Sequence, residues 1–298
     1  MIAKTVSLLV VLASACLSTQ SAAPPPAFDA ERAFDHIRQL VAIGPRVAGT
    51  AGAAAARAYI RKQLEPLKLR VEEQSFQAQT PLGPAQMVNL RAILPGDASR
   101  GRLIIAAHYD TKRLDDFTFV GANDGGSSAA FLIELARGLM SRTNRRQIEL
   151  LFLDGEEAVV EWEGDDHTYG SRHYVEAARR DGTLRDIRAL ILVDMIGDRD
   201  LRIKRESQST PWLTDIIWRA ARELKRSEFL EESTPINDDH LPFLEAGVAA
   251  VDLIDLEYPW WHTPGDTLDK VSPDSLKAVA DVLLRALPDI EKRAFEDR

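Results

Sequence analysis

The sequence predicts an α/β fold: a three-layer αβα sandwich around a mixed, largely parallel central sheet. Short apolar runs suited to a sheet covered on both faces recur at 103–107 (LIIAA), 148–153 (IELLFL), 189–193 (ALILV) and 248–254 (VAAVDLI). Stretches with helical spacing of apolar residues separate them. Strand and helix in alternation build a parallel sheet with helices on its faces. Polar motifs rich in Asp, Glu and His follow the apolar runs. That places them at the carboxyl ends of the strands, where such folds bind ligands.

The elements follow in order. Residues 28–41 have apolar positions at helical spacing, with Asp29 placed to cap the first turn. Residues 51–67 are alanine-rich and helical. Residues 69–77 and 87–94 read as strands joined by a turn at Pro81-Leu82-Gly83-Pro84. Helices are expected at 128–140, 171–180 and 211–224, and a last amphipathic helix at 273–293. Residues 231–237 read as irregular. No repeat and no long linker interrupts 28–295, which is expected to form a single domain.

The 298 residues are 45% hydrophobic and 28% charged, which excludes a disordered, collagen-like or disulfide-stapled chain. A net charge of −9, from 37 basic and 46 acidic residues, argues against a nucleic-acid partner. Residues 1–23 read as an export leader. Lys4 precedes an apolar run at 5–15 that is too short to span a bilayer. Two cleavage readings stand open. Ala13-Ser14-Ala15 before Cys16 has the form of a lipoprotein box, with Cys16 as a lipid anchor; Ser21-Ala22-Ala23 has the form of an ordinary cleavage site. Both send the protein to the periplasm, cell envelope or extracellular space. Cys16 is the only cysteine. A cysteine nucleophile and cysteine-held zinc are therefore excluded from the folded part, and any metal falls to His, Asp and Glu.

His108-Tyr109-Asp110 follows the first apolar run. A His and an Asp so spaced can act as metal ligand and orienting carboxylate. Gly121-Ala122-Asn123-Asp124-Gly125-Gly126 is a glycine-rich turn around an acid. It lacks the Gly-Lys-Ser/Thr of a phosphate loop, and a simple helix cap by Asp124 competes with a ligand role. Asp154-Gly155-Glu156-Glu157 crowds three acids at a buried strand end. Such carboxylates repel unless a cation or proton sits among them, so one can bind metal while its neighbour moves protons. Asp194-Met195-Ile196-Gly197, Asp238-Asp239-His240 and Trp260-Trp261-His262 follow later strands or loops. Each alone fits a capping or loop role; together they supply the oxygen and nitrogen donors of a metal site. His36, His167 and His173 read as surface histidines, His240 as orienting its loop, and Trp212 and Trp218 as packing. The basic clusters at 142–146 and 202–205 read as solvated surface.

Taken together, these motifs resemble the zinc exopeptidase clan, which contains leucyl-type aminopeptidases and animal-type glutaminyl cyclases. The resemblance runs from Gly44-Pro45-Arg46-Val47-Ala48-Gly49 to the last helix, with HYD, GAND, DGEE, YGSR, DMIG, DDHLPF and WHTPGDT in the clan's order. It implies the zinc exopeptidase fold. It also implies that His108, Asp124 and Asp194 would hold one zinc, that Asp124, Glu157 and His262 would hold another, and that Glu156 is the general acid/base. Several positions resemble the cyclases: Lys112 in HYDTK, Trp162 five residues past Glu157, Ile236 and Asp238 in INDDHLPF, and Trp261 before His262. Tyr258 stands where the cyclase pocket carries phenylalanine, while Asn123 and Gly125 follow the peptidase form.

The resemblance thus implies a zinc-dependent glutaminyl-peptide cyclotransferase acting on peptide or protein N-termini. Such an enzyme converts N-terminal glutamine to pyroglutamate and releases ammonia. One zinc at Asp124, Glu157 and His262 would then be expected, with His108 and Asp194 left for hydrogen bonding. Glu156, Asp194 and Asp238 would serve the chemistry, and Trp162, Ile236, Tyr258 and Trp261 would wall the pocket. A two-zinc aminopeptidase, with Glu156 activating water, is the alternative. A non-catalytic peptide binder would require a broken site, and the set of matching residues is complete.

Overall fold

The computed structural model describes residues 28–296. The leader at 1–23 and the anchor reading of Cys16 lie outside the described residues. The main sheet has six strands in the order β1-β2-β4-β3-β5-β8. These are β1 (Arg70–Thr80), β2 (Gly83–Leu94), β3 (Asp97–His108), β4 (Arg146–Leu153), β5 (Ile187–Asp194) and β8 (Ala250–Ile254). The β4–β3, β3–β5 and β5–β8 pairs are parallel, whereas β1–β2 and β2–β4 are antiparallel. The sheet is therefore mixed and largely parallel.

Side chains on a strand alternate between faces, and here both faces are covered. Leu103, Ile105 and Ala107 of β3 join Leu150, Phe152, Ile191 and Val193 in one core cluster. That cluster packs against α1 (Ala30–Ile43), α2 (Ala51–Leu64), α3 (Gly126–Met140), α5 (Pro211–Glu223) and α7 (Pro273–Ala294). The alternate residues Ile104, Ala106, Leu151, Leu190 and Leu192 face the other side. There they meet Tyr174 and Val175 of α4 (Tyr169–Arg180) and Phe243 of α6 (Leu241–Glu245). Two-sided burial is why these strands read as continuous apolar runs. Two charged residues interrupt these runs: Asp252 of β8, and Glu149 of β4, which is fully buried and held by Arg91, Arg102 and the Tyr174 hydroxyl.

Local signals account for the helix starts. Asp29 accepts the Arg32 amide at the head of α1, Thr50 the Ala53 amide before α2, and Ser272 the Asp274 amide before α7. The β1–β2 hairpin turns through Pro81-Leu82, with Gly83 at φ +104°, a value only glycine adopts without strain.

Some expectations need correction. Residues 231–237 are not wholly irregular: β7 (Phe229–Thr234) pairs in parallel with β6 (Ile203–Glu206). This small sheet has no apolar run because the middle of β7 is exposed and polar; its charges make ion pairs, Arg205 with Glu231 and Lys204 with Glu232. His36 is buried, with Nδ1 2.7 Å from the Tyr59 hydroxyl, because it lies on the inward face of α1.

The connections position the site. From β3 the chain passes through α3 on one face to β4, then through α4 on the opposite face to β5 on the other side of β3. A sheet that winds both ways from one strand opens a crevice at that strand's carboxyl end. No helix among the described residues is long and apolar enough to cross a membrane.

Candidate active site

His108 ends β3 and Asp194 ends β5, so neighbouring parallel strands deliver both to the crevice. Asp124 sits in the turn before α3, Glu156 and Glu157 follow β4, and His262 lies in the loop after β8. His108 Nε2 lies 3.0 Å from Asp194 Oδ1 and 3.3 Å from Asp124 Oδ1. His262 Nε2 lies 3.0 Å from Glu157 Oε1 and 3.3 Å from Asp124 Oδ2. Asp124 is thus common to two donor groups, His108–Asp124–Asp194 and Asp124–Glu157–His262, each with ligand atoms within 4.8 Å of one another.

The array fits a divalent cation on its own chemistry. Asp124 Oδ2 and His108 Nδ1 are buried without a directed hydrogen bond. With protein groups alone, burial pushes Glu157 up to about 7, Asp124 adds to this, and His262 opposes it. Burial works against a charged His262, yet its contacts with Asp124 and Glu157 raise it to about 10. Burial likewise opposes ionisation of Asp124, but hydrogen bonds from His108 and His262 hold it below the usual carboxylate range. Opposed carboxylates and imidazoles of this kind favour a shared cation, and metal binding to such ligands releases protons. Nitrogen and oxygen donors without thiolate suit zinc.

Glu156 behaves differently from its neighbour. Burial pushes its carboxyl well above the usual range; His108 opposes, while Asp238, Glu157 and Asp239 add to the rise. Burial and the nearby Asp194 likewise lift Asp238 to about 7. Both side chains line a cavity of about 300 Å³ with Lys112, Trp162, Met195, Ile236, Leu256 and Trp261. Asp124, Glu157, Asp194 and His262 form part of the same wall. A larger groove of about 680 Å³ lies at the amino ends of β5 and β8, around Ile187 and Val248, far from any of these donors.

The Trp162 indole stacks on His167, ring centres 4.4 Å apart and planes 4° apart. Its loop is braced by Asp166, which accepts the amides of Val159, Val160 and Glu161 and the Tyr169 hydroxyl. His240, fully buried, anchors the 238–240 segment through Glu206 at 3.2 Å. Backbone strain marks the site: His262 has φ +51° and Met195, next to Asp194, φ +45°.

The structure brings together His108, Asp124, Glu156, Glu157, Asp194, Asp238 and His262, with Trp162, Ile236 and Trp261 beside them. It does not place Tyr258 on the cavity wall. Tyr258 is buried behind it against Met195, Ile236 and Ile254, because its hydroxyl donates to Asp266. Leu256, 37% exposed, lines the wall instead. Asp124 does not cap α3; Gly125 holds that position without a side-chain bond. The Asp110 carboxylate lies 3.5 Å from His108 Nδ1 but accepts the Glu156 and Glu157 amides.

Sequence reasoning missed Asp252, Asp266 and Arg46. Asp252, fully buried on β8, is pushed well above the carboxylate range by burial and by Asp238 and Asp194. Asp266 and Arg46 bond to the Asp124 loop. Their only signal was membership of the WHTPGDT and GPRVAG motifs.

This fold carries two donor groups that could hold metal ions, and the chain belongs to peptidase family M28, which matches residues 89–287. It resembles the glutaminyl-peptide cyclotransferase of Drosophila melanogaster, 31% identical over 277 residues, covering 82% of this chain and 78% of that protein. The crystal structure of an Acidobacteriales bacterium glutaminyl cyclase superposes with a TM-score of 0.88 at 39% identity, covering 93% of this chain and all of that one. A leucine aminopeptidase precursor from Bacteroides thetaiotaomicron superposes at 0.81 with 27% identity, covering 89% of this chain and 98% of that one.

Proposed function

We propose that this chain is a zinc-dependent glutaminyl-peptide cyclotransferase that converts N-terminal glutamine of peptides or proteins to pyroglutamate with release of ammonia. The observation that carries this reading is the small cavity in which Glu156 and Asp238 face Trp162, Ile236 and Trp261 beside the Asp124–Glu157–His262 donors. A space of about 300 Å³ suits one side chain and its amine, not an extended peptide.

A zinc ion held by Asp124, Glu157 and His262 would supply Lewis-acid polarisation of the substrate amide oxygen. The remaining work falls to the protein. Trp162, Ile236 and Trp261 hold the glutamine folded back, which makes the attack intramolecular and near in geometry. The α-amine nitrogen bonds to the γ-carboxamide carbon, and that carbon's bond to the amide nitrogen breaks. Glu156 takes the proton the amine loses and returns it to the departing ammonia. Its elevated affinity for protons suits both halves of that transfer. Asp194 and Asp238 accept hydrogen bonds from the nitrogen atoms, and His108 holds Asp194 in place at 3.0 Å.

The second donor group, His108–Asp124–Asp194, favours a second reading as a two-zinc aminopeptidase. Incubating the zinc-loaded protein with Gln-Phe-Ala and Leu-Phe-Ala peptides separates the two. Loss of one ammonia from the first peptide, with the second untouched, is the expected mass change. Release of free leucine or glutamine would establish the peptidase instead. Glu156→Gln is expected to lower turnover by about 10²- to 10⁴-fold while zinc stays bound; simultaneous loss of zinc would make Glu156 structural. We also read 28–295 as one catalytic domain, and 1–23 as a leader that sends it out of the cytoplasm, with or without a lipid at Cys16.

A further inference from the structure

Asp266 lies outside both donor groups, yet its buried carboxylate holds their shared member. Its Oδ1 accepts the Asn123 amide at 2.8 Å and the Tyr258 hydroxyl at 2.8 Å; its Oδ2 accepts the Asp124 amide at 3.1 Å. The Ala122 amide also donates to the Asp266 carbonyl. The turn bearing Asp124 therefore hangs on the loop bearing His262. From the other side the fully buried Arg46 guanidinium donates to the carbonyls of Tyr109, Val120 and Gly121. One turn is thus gripped by its amides through a carboxylate and by its carbonyls through a guanidinium. Neither side chain is spent on a helix cap or a surface ion pair.

We propose that Asp266 is a positioning residue that fixes Asp124 relative to His262, so that the two converge on a cation without rearrangement. The inference rests on the metal-dependent reading above. Outer groups that orient ligands typically contribute about 10- to 100-fold in metal affinity. An anion at this point also deepens the local potential felt by a cation held at Asp124.

The test is zinc affinity, measured by competition with a chromogenic chelator on the purified full chain. Asp266→Asn keeps the size but turns an NH₂ toward a backbone amide, and is expected to weaken zinc by about 10- to 100-fold. Glu149→Ala removes a buried charge far from the site, so its lowered stability is expected to leave zinc affinity unchanged. An Asp266→Asn affinity within about threefold of the parent would overturn the proposal, and so would an equal loss in Glu149→Ala. Should Asp266→Asn fail to fold, Tyr258→Phe, which deletes one donor to the same carboxylate, is expected to weaken zinc by about fivefold. An unchanged affinity there overturns it too. A parent protein that binds no zinc would remove the metal reading itself, a result distinct from a parent that binds and a variant that binds equally.

Discussion

Glu156 and Glu157 are adjacent in the chain and differ in what they face. Glu157 meets His262 at 3.0 Å, whereas Glu156 points at the cavity, 3.8 Å from His108 Nδ1 and beside Asp238. A ligand needs its negative charge next to a cation, and a proton carrier needs a surrounding that lets it hold the proton. Trp162 shows the same dependence on surroundings. Its indole is only half-buried, so the His167 stack and the amides gathered by Asp166 keep it against the cavity. Trp162→Ala is expected to lower kcat/KM for an N-terminal glutamine peptide by about tenfold or more, equivalent to about 1.4 kcal/mol. Steady-state kinetics check this, and unchanged turnover would remove the tryptophan-walled pocket from the account.

At the scale of elements, β4 carries the sharpest conflict between sequence and burial. Glu149 sits with no exposure inside the apolar run at 148–153, while Arg91 and Arg102 reach it from β2 and β3, their side chains 25% and 11% exposed. Breaking a buried pair leaves an uncompensated charge, and the usual cost is about 3–5 kcal/mol. Glu149→Ala is expected to lose that much in urea denaturation; a loss below about 1 kcal/mol would mean that water reaches both guanidinium groups. The strands of the parallel core were legible because both faces bury apolar residues and leave continuous runs. The β6–β7 pair and the short α6 were not. Phe229–Thr234 has a run of exposed polar residues in its middle and Leu241–Glu245 is one turn long, so neither carries a periodic pattern.

Across the whole molecule, the donors come from positions far apart: His108 and Asp194 are separated by 86 residues, Glu157 and His262 by 105. The unfolded chain does not hold them together, so zinc held at the proposed site is expected to stabilise the native state over the unfolded one. At a zinc concentration about 1,000 times Kd this contributes about 4 kcal/mol, a rise in Tm of roughly 8 °C for a chain of this size. Calorimetry of chelated and zinc-loaded protein measures it, and coincident transitions would mean that these side chains hold no zinc. The sequence by itself determined the sandwich, the donor types and the order of the motifs, because apolar runs and ligand chemistry are local properties of the residues. Only the tertiary structure decided that Tyr258 stands behind the cavity and Leu256 on it, that His36 is buried, and that Asp266 and Arg46 grip the Asp124 turn. Those outcomes depend on where a buried hydroxyl, imidazole or charge finds its partner, and the partners of Asp266 lie up to 143 residues away in the chain.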